Sequence, residues 1–260
     1  MIPIKNLEDY TTKMNFVMKD KLFFVDKIKT RIYIDYGCAD GTLLSELDAI
    51  YQDPSIFYIG YDQSEEMIDL AKSKWGGIGN IMFSSNFEDV LNAIHTRYND
   101  TTLILSSVLH EILSQGISQD EFWETVTKLP LKYIVIRDMA FNPIICSTKL
   151  DRYLVSKVYN NNPKQYSDFA ARFGKIVYST QFCHYLLKYR YTQNWQRELQ
   201  EDYFAFDPDV ALECLKQYNF YCTYFERFNV PYIVNIIQKD FQIDLNQFGQ
   251  THIKMILQKC

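Results

Sequence analysis

Apolar positions in the first half of the chain follow two alternating rhythms. Short, nearly continuous apolar runs, RIYIDYG (31–37), IFYIGYD (56–62), IMFSSN (81–86), TLILSS (102–107) and KYIVIRD (132–138), read as strands buried on both faces. Between them, apolar residues recur at helical spacing over 41–51, 64–74, 87–97 and near 118–128. Two of those helices carry readable starts. Ser64 followed by Glu65 and Glu66 is an N-cap with acids in the first turn, and Ser118-Gln119-Asp120-Glu121 fits a capping box. Strands alternating with helices predict an α/β domain whose parallel sheet is covered on both faces.

After Asp138 the alternation breaks, and a long aromatic stretch of mostly helical spacing runs to about residue 205. The pattern then resumes. Asp207-Pro208 supplies a cap and a proline at the first helical position, opening a helix to Tyr218. NFYCTYFERF (219–228) reads as a strand, PYIVNIIQKDF (231–241) as a short helix and THIKMILQK (251–259) as a closing strand. There is no internal repeat and no low-complexity linker.

Composition narrows the class. At 260 residues and 47% hydrophobic, the chain can bury the core of one large domain or of one domain with an insertion. No apolar run approaches the roughly 18 residues of a membrane span, and the charged start MIPIKNLEDY lacks a secretory apolar core, so a cytoplasmic location is expected. Six dispersed cysteines without a CxxC pair argue against a zinc cluster or a disulfide framework, and no metal is expected. The net charge of −5 gives no general attraction for nucleic acid, yet residues 141–200 hold nine Lys or Arg against three Asp or Glu.

The chemistry concentrates at strand ends. A strand that ends in small residues and turns directly into a helix lets backbone approach a ligand closely. Here the turn is Asp35-Tyr36-Gly37-Cys38-Ala39-Asp40-Gly41, and its spacing is not the G-x-G-x-x-G of dinucleotide folds. It resembles the acid-x-Gly-x-Gly-x-Gly turn of class I S-adenosylmethionine (SAM)-dependent methyltransferases, with Ala39 in place of the middle glycine. DKLFFVDKI (20–28), GCADG, SSVLHEI and IRDM look like a bacterial and phage group of such enzymes whose substrate is unassigned. The resemblance covers residues 31–138 well, the last 55 in topology only and 141–205 not at all.

The resemblance implies a Rossmann-like, doubly wound, mainly parallel seven-stranded sheet whose last strand is antiparallel, with a helical insertion after the fifth strand. It implies SAM as cofactor, held by Asp35, Gly37, Cys38, Ala39 and Gly41. Asp62 and Gln63 at the end of the second strand would take the ribose, Asp62 accepting from both hydroxyls. Met67 would pack on the adenine, Asn86 would contact the adenine amino group and Phe87 would offer a backbone contact. Ser106 and Ser107 would support the methionine portion. The corresponding layout is an N-terminal helical lid over 1–30, a SAM-binding half over 31–140, a substrate insertion over 141–205 and the rest of the sheet over 206–260.

Methyl transfer from an activated donor needs chiefly alignment, and a base would help a hydroxyl, amine or amide acceptor. His110, Glu111, Arg137 and Asp138 at the ends of the fourth and fifth strands are the candidate catalytic residues, His110 as proton acceptor and Arg137 as an anion holder. The competing reading makes His110 and Glu111 loop supports and pairs Arg137 with Glu111 or Asp138. Tyr10, Lys13, Phe16, Lys19 and Lys21 fall where relatives place a lid. In the insertion, Lys175, Lys188, Arg190 and Arg197 alternate with Tyr178, Tyr185, Tyr189, Tyr191 and Trp195. That mixture suits an RNA or nucleotide acceptor, or else the rings pack inward and the charges stay wet. Cys183-His184 reads as core. Three functions are therefore open: transfer to an anionic acceptor such as RNA or a nucleotide, transfer to a small metabolite beneath a helical lid, and non-catalytic SAM binding in a regulatory or partner protein. The oligomeric state is not legible.

Overall fold

In the computed structural model, residues 4–6, 11–12, 17–94, 100–146 and 149–260 are described; Tyr10, Lys13 and Phe16 lie outside them. Seven strands form one sheet: β1 (Ile32–Tyr36), β2 (Phe57–Tyr61), β3 (Ile81–Ser84), β4 (Thr101–Ser106), β5 (Leu131–Met139), β6 (Phe220–Phe228) and β7 (His252–Lys259). Their order is β3-β2-β1-β4-β5-β7-β6. The first five run parallel, and β7 lies antiparallel between β5 and β6. The connections reverse direction at the β1–β4 boundary, where an open α/β sheet leaves a crevice beyond its strand ends.

The parallel strands are largely apolar because both faces are covered, with Asp35, Ser84, Ser106, Arg137 and Asp138 toward their C-terminal ends. Ile34, Ile59, Leu103, Leu105, Ile134 and Ile136 face one side with Val90 and Ile94 of α3 (Phe87–Ile94), Trp123 of α5 (Gln119–Val126) and Leu215 of α9 (Pro208–Lys216). Tyr33, Tyr58, Ile104 and Val135 face the other, against Leu44 and Leu47 of α1 (Thr42–Tyr51), Ala71 of α2 (Glu65–Trp75) and Phe24. A further helix, α4 (Leu109–Ser114), follows β4 directly.

The expected caps form. Ser64 accepts from the Met67 amide, Ser118 from the Glu121 amide and Asp207 from the Asp209 amide. The segment after β5 is helical, as expected: α6 (Arg152–Asn161), α7 (Pro163–Phe173), α8 (Ser179–Lys188) and the single turn Trp195–Glu198. Its buried apolar residues form a cluster apart from the two that flank the sheet. Phe169, Phe182 and Tyr185 pack with Ile237 and Phe241 of α10 (Pro231–Phe241), the helix between β6 and β7, so the insertion is built onto the sheet's own connection. Cys38, Cys183 and Cys214 are buried and Cys222 and Cys260 exposed, all with free thiols. Among the described residues no helix is long and apolar enough to cross a membrane.

Candidate functional site

The turn after β1 is held in an alternating left-handed path. Gly37, Ala39 and Gly41 all have positive φ, at 82°, 46° and 74°. Glycine adopts this region without cost, and an L-residue such as Ala39 does so only under constraint. The constraint is visible: the Gly37 and Cys38 amides donate to the Tyr61 carbonyl (2.7 and 2.9 Å), and the Ala39 amide donates to Asp62 Oδ2 (3.0 Å). Asp62 Oδ1 also accepts from the Ser64 amide (2.9 Å). One carboxylate thus ties the ends of β1 and β2 together, and burial raises its pKa. A Cβ at Gly37 would come within 2.7 Å of Val108 Cγ2, so the turn lies hard against the segment after β4.

Above this turn opens a cavity of about 630 Å³, within the range that encloses cofactor-sized ligands. Its lining includes Asp35, Gly37, Cys38, Ala39, Asp62, Gln63, Met67, Ser106 and Ser107, all expected from the sequence. Gly41 is set back behind the turn against Phe83. Asn86 and Phe87 are not brought to the cavity. Asn86 is exposed and its Oδ1 caps α3 through the Glu88 amide (3.0 Å), while the Phe87 ring packs against Tyr36 and Tyr61. Their place in the wall is taken by Ile117, Phe122 and Thr125 from α5 and the loop before it. Buried Asp35 and Lys21 give the inner end mixed charge. Burial, with repulsion from Asp62 and Asp40, raises Asp35 to about 7, and burial beside Arg137 lowers Lys21 to about 8.

A second cavity of about 240 Å³ adjoins the first, and Lys21, Ser107 and Glu111 line both. His110, Arg137, Glu198, Glu201 and Tyr203 face it, under a roof from α8 and α10. The four candidate catalytic residues separate into distinct roles. Asp138, fully buried, accepts from His110 Nδ1 (2.7 Å) and from the amides of Val108, Leu109 and Met139 (2.9, 2.7 and 2.7 Å). It fixes both the imidazole and the start of α4, and it does not line either cavity. For His110, burial alone would lower the pKa, but the Asp138 charge and hydrogen bond, with Glu111 and Glu201, outweigh it and raise it to about 9. The expectation of a His110 base titrating near neutrality is therefore corrected: at neutral pH the imidazole is a cation that donates.

Glu111 takes the poised position instead. Burial and the neighbouring Glu201 raise it to about 7. Arg197 clamps both acids, Nη2 to Glu111 Oε2 and Nε to Glu201 Oε1, each at 3.0 Å. Ligand atoms of His110, Glu111 and Glu201 lie within 4.8 Å of one another, and the Arg197 guanidinium bridges the two carboxylates. Arg137 pairs with neither Glu111 nor Asp138; its Nη1 donates to Ser107 Oγ (2.9 Å). Ser107 itself has φ 60°, a strained conformation of the kind found at ligand sites.

The insertion does not present its cations and rings as one face. Tyr185, Tyr189, Trp195, Lys188 and Arg197 are buried, while Lys175, Tyr178 and Arg190 are exposed. Lys188, lowered to about 8 by burial, donates to the Glu198 carbonyl (2.7 Å) and sits 3.4 Å from the centre of the Tyr203 ring, whose hydroxyl donates to Glu198 Oε2. Cys183 and His184 are core residues, and the Tyr203 amide donates to His184 Nε2 (3.3 Å). Lys21, Arg197, Glu198, Glu201 and Tyr203 form most of the polar wall, yet sequence reading singled out none of them for it. The only local signal was the spacing of four between Arg197, in the turn Trp195–Glu198, and Glu201 just beyond it.

No family model and no curated protein sequence matches the chain. Solved structures match its fold. A mycolic acid cyclopropane synthase complexed with S-adenosylhomocysteine (SAH) and CTAB aligns over 97% of this chain and 87% of its own, at 11% identity and a TM-score of 0.56. A cyclopropane synthase from Mycobacterium tuberculosis aligns over 93% and 84%, at 8% identity and 0.55. A geranyl diphosphate methyltransferase in complex with GPP and sinefungin aligns over 93% and 78%, at 9% identity and 0.53. The architecture of the chain is the class I SAM-dependent methyltransferase fold.

Proposed function

We propose that the chain is a SAM-dependent methyltransferase acting on a small acceptor enclosed in the second cavity. The observation that carries this reading is the shared wall: a cofactor-sized cavity over the β1 turn meets a smaller one at Lys21, Ser107 and Glu111. The turn fits the cofactor because it leaves no room for a side chain at Gly37 and places Asp62 and Met67 at the wall. Gly37, Cys38 and Ala39 would hold the methionine portion with Asp35, Ser106 and Ser107, and Asp62 with Gln63 would take the ribose. When bound, SAM supplies an activated methyl group on sulfur.

The chain's own task is alignment and proton handling. Glu111, with a pKa near 7 and a face on both cavities, takes the proton of the acceptor. Protonated His110, held by Asp138, donates to the acceptor from a wall it shares with Glu111, Glu198 and Glu201. A small acceptor is favoured over RNA or a nucleotide because Lys188 and Arg197 are buried in pairings with acids. Of that mixed stretch of cations and rings, Lys175, Tyr178 and Arg190 are left exposed.

Calorimetric titration with SAM and SAH, followed by transfer of radiolabelled methyl to a small-metabolite extract and to total RNA, tests this. Binding with label in metabolites is expected. Label in RNA alone would overturn the small acceptor, binding without transfer would leave a cofactor-binding regulator, and absence of binding would remove the cofactor assignment.

A further inference from the structure

Arg137 is the one candidate residue whose chemistry the methyl-transfer reading leaves unused. It is 4% exposed and lines the second cavity, yet among the described residues no carboxylate lies within 4.0 Å of its guanidinium. Of its five N–H donors, one on Nη1 reaches Ser107 Oγ, and Nε has no partner. A buried guanidinium without a matched acceptor is expensive. The arrangement is less favourable still because Lys254 stands directly opposite Arg137 in the β5–β7 ladder. Lys254 is met by Asp20 (3.4 Å) and Glu226 (3.7 Å), so those acids are already engaged. Asp20 and Asp138 act on Arg137 through space, and burial outweighs both and lowers its pKa.

The rest of the cavity states what kind of anion would complete it. Met139, Leu187, Ile233, Ile236, Tyr191 and Tyr232 supply apolar and aromatic walls. Glu111, Glu198 and Glu201 line the same 240 Å³ space, so a dianionic phosphate would face three carboxylates at close range. A planar monoanion would not carry that second charge, and it matches the forked geometry of one guanidinium.

Resting on the reading of the second cavity as the acceptor site, we propose that Arg137 seats the carboxylate of the acceptor, a small monocarboxylic acid with an apolar or aromatic body. Ser107 holds the guanidinium from the cofactor side, so the seat lies beside the wall the two cavities share.

Calorimetric titration of the full chain, with and without SAH, against apolar monocarboxylates from butyrate to phenylpropionate tests the seat, with phenylpropionamide as the neutral isostere. The expected result is saturable binding of at least one acid and amide binding weaker by about tenfold or more. Arg137→Gln should lose the acid to the same extent, Arg137→Lys should lose less, and both should keep wild-type affinity for SAH. Equal binding of acid and amide, wild-type acid binding by Arg137→Gln, or failure of every acid to bind the wild type would each overturn the proposal. SAH binding is read in the same titrations. Its absence while the acids bind would remove the cofactor assignment and leave the carboxylate seat standing.

Discussion

Ala39 occupies a left-handed position between two glycines that occupy the same region, and the three residues respond to substitution in opposite senses. Gly37→Ala forces a Cβ to within 2.7 Å of Val108 at a φ of 82°, combining backbone strain with overpacking. A loss of about 2–4 kcal/mol follows. Ala39→Gly relieves an L-residue at φ 46° at the cost of a more flexible unfolded chain, and its effect should lie between zero and a gain of about 1 kcal/mol. Urea unfolding of both variants measures the contrast; a stabilised Gly37→Ala would show that the turn is not held as described. Asp62 acts at the same place. Asp62→Ala removes the acceptor of the Ala39 and Ser64 amides together with the proposed ribose contact, so SAM affinity should fall by roughly 2–3 kcal/mol in a calorimetric titration. Unchanged affinity would remove Asp62 from the cofactor site.

Elements obey local rules wherever their partners are local. Asp207 and Pro208 announce α9, and the structure puts Asp207 Oδ1 2.9 Å from the Asp209 amide. Asp207→Ala should therefore cost about 1 kcal/mol, lowering the melting temperature by about 2–4 °C with SAH affinity unchanged; an unaltered melting temperature would mean the cap contributes nothing. The strands, the turn and the caps of α2, α5 and α9 were legible because each is written in neighbouring residues. A strand end followed by an Asx-type cap reads the same whether or not its side chain turns toward a ligand; here Asn86 serves α3, and neither it nor Phe87 lines the cavity. The polar wall was illegible for a different reason. Asp138 meets His110 across 28 residues and Arg197 meets Glu111 across 86, and neither spacing leaves a periodic trace. Likewise the alternation of cations and rings in α8 and after it gave no sign that Lys188 and Arg197 turn inward, since an amphipathic stretch looks alike whether its long side chains bury or snorkel.

At the scale of the whole molecule, the interior around the two cavities holds many ionisable groups, and their shifts make stability depend on pH in opposing ways. Burial raises Asp35, Glu111 and Glu198 to about 7, so each favours the folded state fully below its unfolded pKa and loses that contribution as pH rises through about 7. His110, raised to about 9, loses its contribution at higher pH still. Buried His184 and His252, held well below 6.5, act the other way and reduce stability as pH falls below 6.5. Lys21 and Lys188, lowered to about 8, regain stability only as pH rises beyond that value. The bare profile of the wild type is a sum of these slopes, and a single substitution isolates one of them. Glu198 starts from 4.5 in the unfolded chain and reaches about 7 by burial and repulsion from Glu201. Between those values the folded protein keeps a proton that the unfolded chain has released, so the wild type is destabilised by ionising Glu198 as pH rises. Glu198→Gln has no such step. It also removes a charge that holds the proton on Lys188, which moves the balance in the same direction. The melting temperature of Glu198→Gln relative to wild type should therefore rise steadily from about pH 5 to about pH 8. Thermal unfolding of the two proteins across that range measures it, and parallel curves would show that Glu198 ionises in the folded protein as it does in water.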